Sequence, residues 1–217
     1  MPVRAATRAI LESAAVNGRL AVLLSGRGSN FAAIHEAIAR GELHAEIALV
    51  VSNRADAAGL ERARAWGYRA VALPHRDFPT REAHEAAVAA AIEESEARIV
   101  VLAGYMRLLS AGFVDRFKGR ILNIHPSLLP SFPGVDAQAQ ALAHGVRITG
   151  CTVHLVDEQL DGGPILVQRA VPVEDRDTVE TLSARILEEE HRAYVDALKI
   201  VIGGKYRVDG RRVIVDR

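Results

Sequence analysis

From Arg19 onward, runs of consecutive apolar residues alternate with segments whose apolar positions recur every three or four residues. Residues 20–24, 46–51, 70–73 and 99–103 have the first texture; residues 30–40, 59–66 and 81–95 have the second. Strands that are apolar throughout are those covered on both faces. The alternation therefore predicts an α/β fold: a βαβαβ progression building a mostly parallel sheet with helices on both sides. Thr80 stands where the third helix needs an N-cap, and Glu82 and Glu85 lie near the favourable end of its dipole.

Another strand ends in Arg120-Ile121-Leu122-Asn123-Ile124-His125, where Pro126 removes a ladder donor. Beyond it the texture changes to loops rich in Pro and Gly. Strands at 151–156 and 165–173, with a more alternating pattern, predict antiparallel strands in the C-terminal half. A helix over 178–202 should stop at Gly203-Gly204, and residues 206–215 should form a hairpin around Asp209-Gly210. The apolar spacing of residues 1–18 suits a short amphipathic helix, an extension outside the chemistry.

Composition narrows the function classes. With 217 residues, 49% hydrophobic and 25% charged, residues 19–217 are expected to form a single domain. A formal net charge of +0 argues against nucleic acid or an anionic membrane surface as the main partner, so any anion site must be local. The single cysteine, Cys151, rules out an intramolecular disulfide framework and a thiolate metal cluster, and suits a cytoplasmic protein. The apolar runs are much shorter than the roughly 20 residues that cross a bilayer.

Three segments carry candidate chemistry. Asn123 and His125 are two apart in a strand and project to one side, offering an amide donor for a developing oxyanion and a group that moves protons near neutral pH. Ser25-Gly26-Arg27-Gly28-Ser29-Asn30 joins a strand to a helix start, a geometry that presents backbone amides to an anion. Phe31 stands where a dinucleotide fingerprint has its last glycine, and there is no Gly-Lys-Ser/Thr, so a lone phosphate fits better than a dinucleotide or ATP. The same turn could simply satisfy backbone and capping needs. Asp157, Glu158 and Asp161 lie in a loop ending Asp161-Gly162-Gly163-Pro164, and a carboxylate there could orient His125 and favour its imidazolium form. His154 alternates away from Val153 and Leu155, so it faces either the same cleft or the core.

Together with Leu102-Ala103-Gly104-Tyr105-Met106-Arg107-Leu108-Leu109 and Asn123-Ile124-His125-Pro126-Ser127-Leu128-Leu129-Pro130, these motifs resemble the folate-dependent phosphoribosylglycinamide formyltransferases from Arg19 to about Val201. The resemblance implies formyl transfer from 10-formyltetrahydrofolate to the amine of phosphoribosylglycinamide, without a metal. By matched position, it implies that Asn123, His125 and Asp161 are catalytic and that Gly28, Ser29, Asn30 and Glu190 bind the ribonucleotide. Folate would contact Arg81, Met106, Arg107, Leu108, Leu109, Asn123, Asp157 and Asp161. Residues 19–125 then form the ribonucleotide-binding half and 126–217 the folate-binding half.

Without the resemblance, Met106, Leu108 and Leu109 read as core, and Arg81 and Glu190 as surface charges. Asp136 and Gln138 depart from the family pattern, standing where some relatives have histidines. Formyltetrahydrofolate hydrolases and other folate-dependent formyltransferases share the Asn-x-His-Pro-Ser pattern and remain the alternatives. The expected partners are the two small molecules, with neither nucleic acid nor membrane, in a chain compatible with a homodimer.

Overall fold

The computed structural model describes residues 11–12 and 18–216. Its elements run β1 (Leu11–Glu12), β2 (Arg19–Leu24), α1 (Ser29–Ala39), β3 (Glu46–Ser52), α2 (Ala58–Ala65), β4 (Ala70–Ala72), α3 (Arg81–Glu94), β5 (Ile99–Leu102), α4 (Ala111–Arg116) and β6 (Ile121–His125). They continue α5 (Ala137–Ala143), β7 (Ile148–Leu155), β8 (Ile165–Pro172), α6 (Val179–Gly203), β9 (Tyr206–Asp209) and β10 (Arg212–Val215).

The apolar runs of β2 and β5 are explained by two cores. Leu20, Val22 and Leu24 of β2, with Ile99 and Val101 of β5, pack under α1, α2 and α6; Ala21, Leu23, Val100 and Leu102 face α3 and α4 on the other side. Each such strand is covered twice, so polar residues have no face to occupy.

One sheet results, ordered β1-β9-β10-β8-β7-β6-β5-β2-β3-β4. Strands β4, β3, β2, β5 and β6 are parallel. The chain runs outward from β2 to β4 and then crosses back to β5. This reversal leaves a crevice at the carboxyl ends of β2 and β5, the usual place for a ligand in an open α/β sheet. Strand β7 pairs antiparallel with both β6 and β8, as the sequence led us to expect for this half. It is interior, however, and buried from Thr149 to Leu155, so the expected alternation along it is missing.

Two readings are corrected. Within residues 1–18, Leu11–Glu12 is a strand paired antiparallel with β9 rather than part of an amphipathic helix; residues 1–10 and 13–17 lie outside the described residues. The Pro- and Gly-rich stretch after β6 contains a helix, α5, which buries Ala137 and Ala141. Its seven residues are too few for a strong periodic signal.

Tyr194 of α6 locks this helix to the sheet. Its ring is fully buried, and its hydroxyl lies between the carbonyl oxygens of Leu102 and Leu122, 3.0 and 2.9 Å away, beside the strand ends that carry the candidate chemistry. Burial holds the phenol well above its usual titration range, so it stays a donor. Tyr194→Phe is expected to lower stability by about 1–3 kcal/mol, seen as a lower urea midpoint with an unchanged slope.

Candidate functional site

The antiparallel register of β6 and β7 sets Asn123 opposite His154 and His125 opposite Thr152. Thr152 secures the turn that follows β6. Its hydroxyl donates to the Ser127 carbonyl at 2.7 Å and accepts from the Leu129 amide at 3.0 Å. Gln168 Nε2, on β8, bonds both Thr152 Oγ1 and the Leu129 carbonyl. Loop residues 126–136 are thereby held over the strand ends, with Gln140 Nε2 also bonding the Val135 carbonyl at 2.8 Å.

Asp161 enters this cluster from the loop after β7. Its backbone is left-handed, with φ 50°, a region that Asp tolerates better than most residues. Gly163 allows the close approach, since a Cβ there would lie 1.8 Å from the Leu155 carbonyl oxygen. The Asp161 carboxylate is nearly buried. Oδ2 accepts from the Gly134 amide at 2.8 Å and lies 3.4 Å from His125 Nδ1, and Oδ1 is 3.8 Å from His154 Nε2.

Both ring nitrogens of the buried His125 face oxygen acceptors, because Nε2 donates to the Phe132 carbonyl at 2.8 Å. The 3.4 Å approach to Asp161 is longer than a normal hydrogen bond, so Nδ1 is the less committed nitrogen.

Burial pushes the His154 imidazole below its usual range, with partial offsets from the Leu155 carbonyl and Asp161. A neutral ring fits its contacts. Nδ1–H donates to the Leu155 carbonyl at 3.0 Å, and Nε2 accepts from Asn123 Nδ2 at 3.3 Å. That bond fixes which end of the Asn123 amide is nitrogen, leaving a second N–H and the carbonyl oxygen for other partners.

The glycine turn lies two strands away, at the end of β2, roughly 10 Å across the sheet. Gly28 is left-handed, with φ 69°, and packs so closely that a Cβ would sit 3.0 Å from Gly59 Cα. It opens α1, whose first amides have no partner within the helix. Ser29 is half-buried. Asn30 turns inward instead of toward the turn: its Nδ2 donates to Glu190 Oε2 at 2.8 Å, and its Oδ1 is buried without a partner. Glu190 on α6 is therefore a buried neighbour of the turn, and not the exposed charge that its sequence context suggests. Burial pushes its carboxyl up, and the single Asn30 bond offsets this only in part.

Other candidates surround the strand ends. Met106 and Leu108 are 76% and 66% exposed, overturning the core reading; Leu109 packs partly against the second core. Arg81 bonds Glu85 one helical turn on. Asp157 caps its own turn by accepting from the Gln159 amide. The expected ribonucleotide and folate residues thus draw on both halves of the chain.

Asp136 is exposed and left-handed, whereas Gln138 is half-buried. Cys151 is fully buried, as expected, with its thiol pushed up to about 12 chiefly by burial. Among the described residues, no helix is long and apolar enough to cross a membrane. A charged depression of about 260 Å³ between α1 and α6, lined in part by Arg40, Arg169 and Asp196, shares none of these groups.

The roles of the Phe132 carbonyl, the Gly134 amide and Thr152 were missed in the sequence. Main-chain groups have no residue signature, and a strand threonine has a common one.

The sequence model of the family described as formyl transferase matches residues 18–198. The chain is 40% identical over 185 residues to phosphoribosylglycinamide formyltransferase of Bacillus subtilis, covering 85% of this chain and 95% of that one. It is 47% identical to the trifunctional purine biosynthetic protein adenosine-3 of Gallus gallus over 88% of its own length, but spans only 19% of that protein. The crystal structure of glycinamide ribonucleotide transformylase 1 from Symbiobacterium toebii superposes with TM-score 0.90 at 48% identity, covering 93% of this chain and 95% of that one. A formyltetrahydrofolate deformylase from Pseudomonas syringae is more distant, at 29% identity.

Glu190→Gln keeps an acceptor for Asn30 while removing a buried charge. Because the folded-state carboxyl titrates above its unfolded value, the two proteins should be equally affected by pH below about 4.5, the unfolded value. Above it, the unfolded wild-type chain ionises first, and wild type loses stability that the variant keeps. Melting temperatures at pH 4 and pH 8 check this: the variant's advantage should appear only at the higher pH.

Proposed function

This chain belongs to the formyl transferase family, and on that premise we propose that it transfers a formyl group from 10-formyltetrahydrofolate to the amino group of phosphoribosylglycinamide, a step of purine synthesis. The observation that carries the reading is the convergence of Asn123, His125, His154 and Asp161 at the β6–β7 strand ends, across the crevice from the Gly28 turn.

In this reading, the phosphate rests on the backbone amides of Gly28 and Ser29 and the start of α1. The contact from Asn30 falls to its main-chain N–H, because its side chain is engaged with Glu190. Glu190, at the inner end of that bond, receives a polar group of the ribonucleotide. The amine reaches the formyl carbon over the strand ends, while the donor lies against Met106, Leu108 and Leu109, with Arg81 and Arg107 near its anionic end and Asp157 on the loop beside it.

Attack of the neutral amine makes a tetrahedral centre bearing an oxyanion. The free N–H of Asn123 points the amide dipole at that charge, since its other N–H is held by neutral His154. The attacking nitrogen must lose a proton and the departing folate nitrogen must gain one. His125 carries it through Nδ1, its loosely held nitrogen, and Asp161 steadies the imidazolium and an ordered water. Holding both substrates in line lowers the barrier further by removing the entropy cost of encounter. The single buried thiol of Cys151 agrees with a reducing, cytoplasmic setting. Assembly as a homodimer is part of the proposal.

Purified protein should release tetrahydrofolate from 10-formyltetrahydrofolate only when the ribonucleotide is present, and His125→Ala should abolish the release. Release without the ribonucleotide would support a hydrolase instead. Asp161→Asn should lower turnover by about 10²-fold or more with little change in donor affinity; equal losses in both would remove Asp161 from proton transfer.

A further inference from the structure

We propose that Glu85 is a positioning residue for donor binding: its carboxylate joins Arg81 and the 104–110 loop into one rigid unit. The inference rests on the reading that Arg81 and residues 106–109 face the folate.

Glu85 lies on α3, one turn after Arg81, with its side chain only 9% exposed. Three donors converge on it. Oε1 accepts from Arg81 Nε at 3.0 Å and from the Ser110 amide at 2.9 Å, and Oε2 accepts from the Ser110 hydroxyl. Ser110 Oγ in turn accepts from the Phe113 amide at 3.2 Å, capping α4. A carboxylate used only to hold that cap would not need the arginine.

The opposite end of the loop is anchored separately. The Ser25 amide donates to the Gly104 carbonyl at 3.0 Å, and Ser25 Oγ accepts from the Met106 amide at 2.8 Å while donating to Asn53 Oδ1. Ser25 therefore spends its hydroxyl on the loop and Asn53. With both ends pinned, Met106 and Leu108 stay directed outward, although each would gain by burial. Exposed apolar side chains on a rigid loop are prepared to receive a flat apolar ligand, and the shared carboxylate fixes the distance from that surface to the Arg81 cation. A ligand with an aromatic body and an anionic tail needs that spacing held before it arrives.

The test is steady-state kinetics of Glu85→Gln with 10-formyltetrahydrofolate and phosphoribosylglycinamide. An amide has one acceptor oxygen where the carboxylate has two, so the three-donor junction cannot be kept. The donor KM should rise about tenfold, with kcat and the ribonucleotide KM changed less than about twofold. A general structural defect would instead lower kcat or raise both KM values together, and either result overturns the proposal, as does an unchanged donor KM. Should Glu85→Gln fail to fold, Ser110→Ala and Ser110→Thr take its place. A donor KM raised in the first and restored in the second supports the role, and no change in either removes it. Wild-type protein that binds the donor but transfers nothing would sink the transfer reading alone. Calorimetric titration of 10-formyltetrahydrofolate into wild type and Glu85→Gln would then decide the role of Glu85 by loss or retention of affinity.

Discussion

The antiparallel register between β6 and β7 is the constraint on which the site depends. It pairs Asn123 with His154 and His125 with Thr152. Successive residues of a strand face opposite sides, so a slip of one position would send one strand's pair of side chains to the face opposite its partners. The register is reinforced beyond the ladder by Thr152 and Gln168, which bond the turn after β6. Burial of β7 on both faces adds to this, because a displaced strand would expose Val153 and Leu155 or bury polar groups in their place.

Buried carboxylates recur around the crevice, and they differ in how well they are supplied with donors. Asp161 accepts from a backbone amide and faces the His125 ring at 3.4 Å, and Glu85 has an arginine, an amide and a hydroxyl. Glu190 has one side-chain donor, and burial pushes its carboxyl upward. Ionising a buried group with so few partners costs stability. In our reading, substrate hydroxyls or amines supply the missing partners, so a group that weakens the empty protein strengthens the complex.

The two faces of the crevice are built differently. The glycine-turn side offers main-chain amides, a left-handed glycine and a helix start, with little side-chain commitment. The other side displays Met106 and Leu108 on a loop tied down by Ser25 and Glu85. Main-chain amides recognise charge, and exposed apolar side chains recognise surface. A ligand pair with one phosphate and one flat apolar body matches that division.

The sequence by itself determined the layered α/β plan, because strands covered on both faces must be apolar throughout and helices between two environments must be periodic. It also determined that Asn123 and His125 share a face, and that a glycine turn opens α1, since both follow from local geometry. The family resemblance, carried by four short motifs, pointed to the chemistry. Tertiary structure decided the rest. It brought Asp161 to His125 and His154 to Asn123, turned Asn30 toward Glu190, exposed Met106 and Leu108, and made Leu11–Glu12 a strand by pairing it with β9. Each of these depends on residues far apart in the chain, or on main-chain groups that every residue carries. Local sequence rules act over a turn or two and cannot register such contacts.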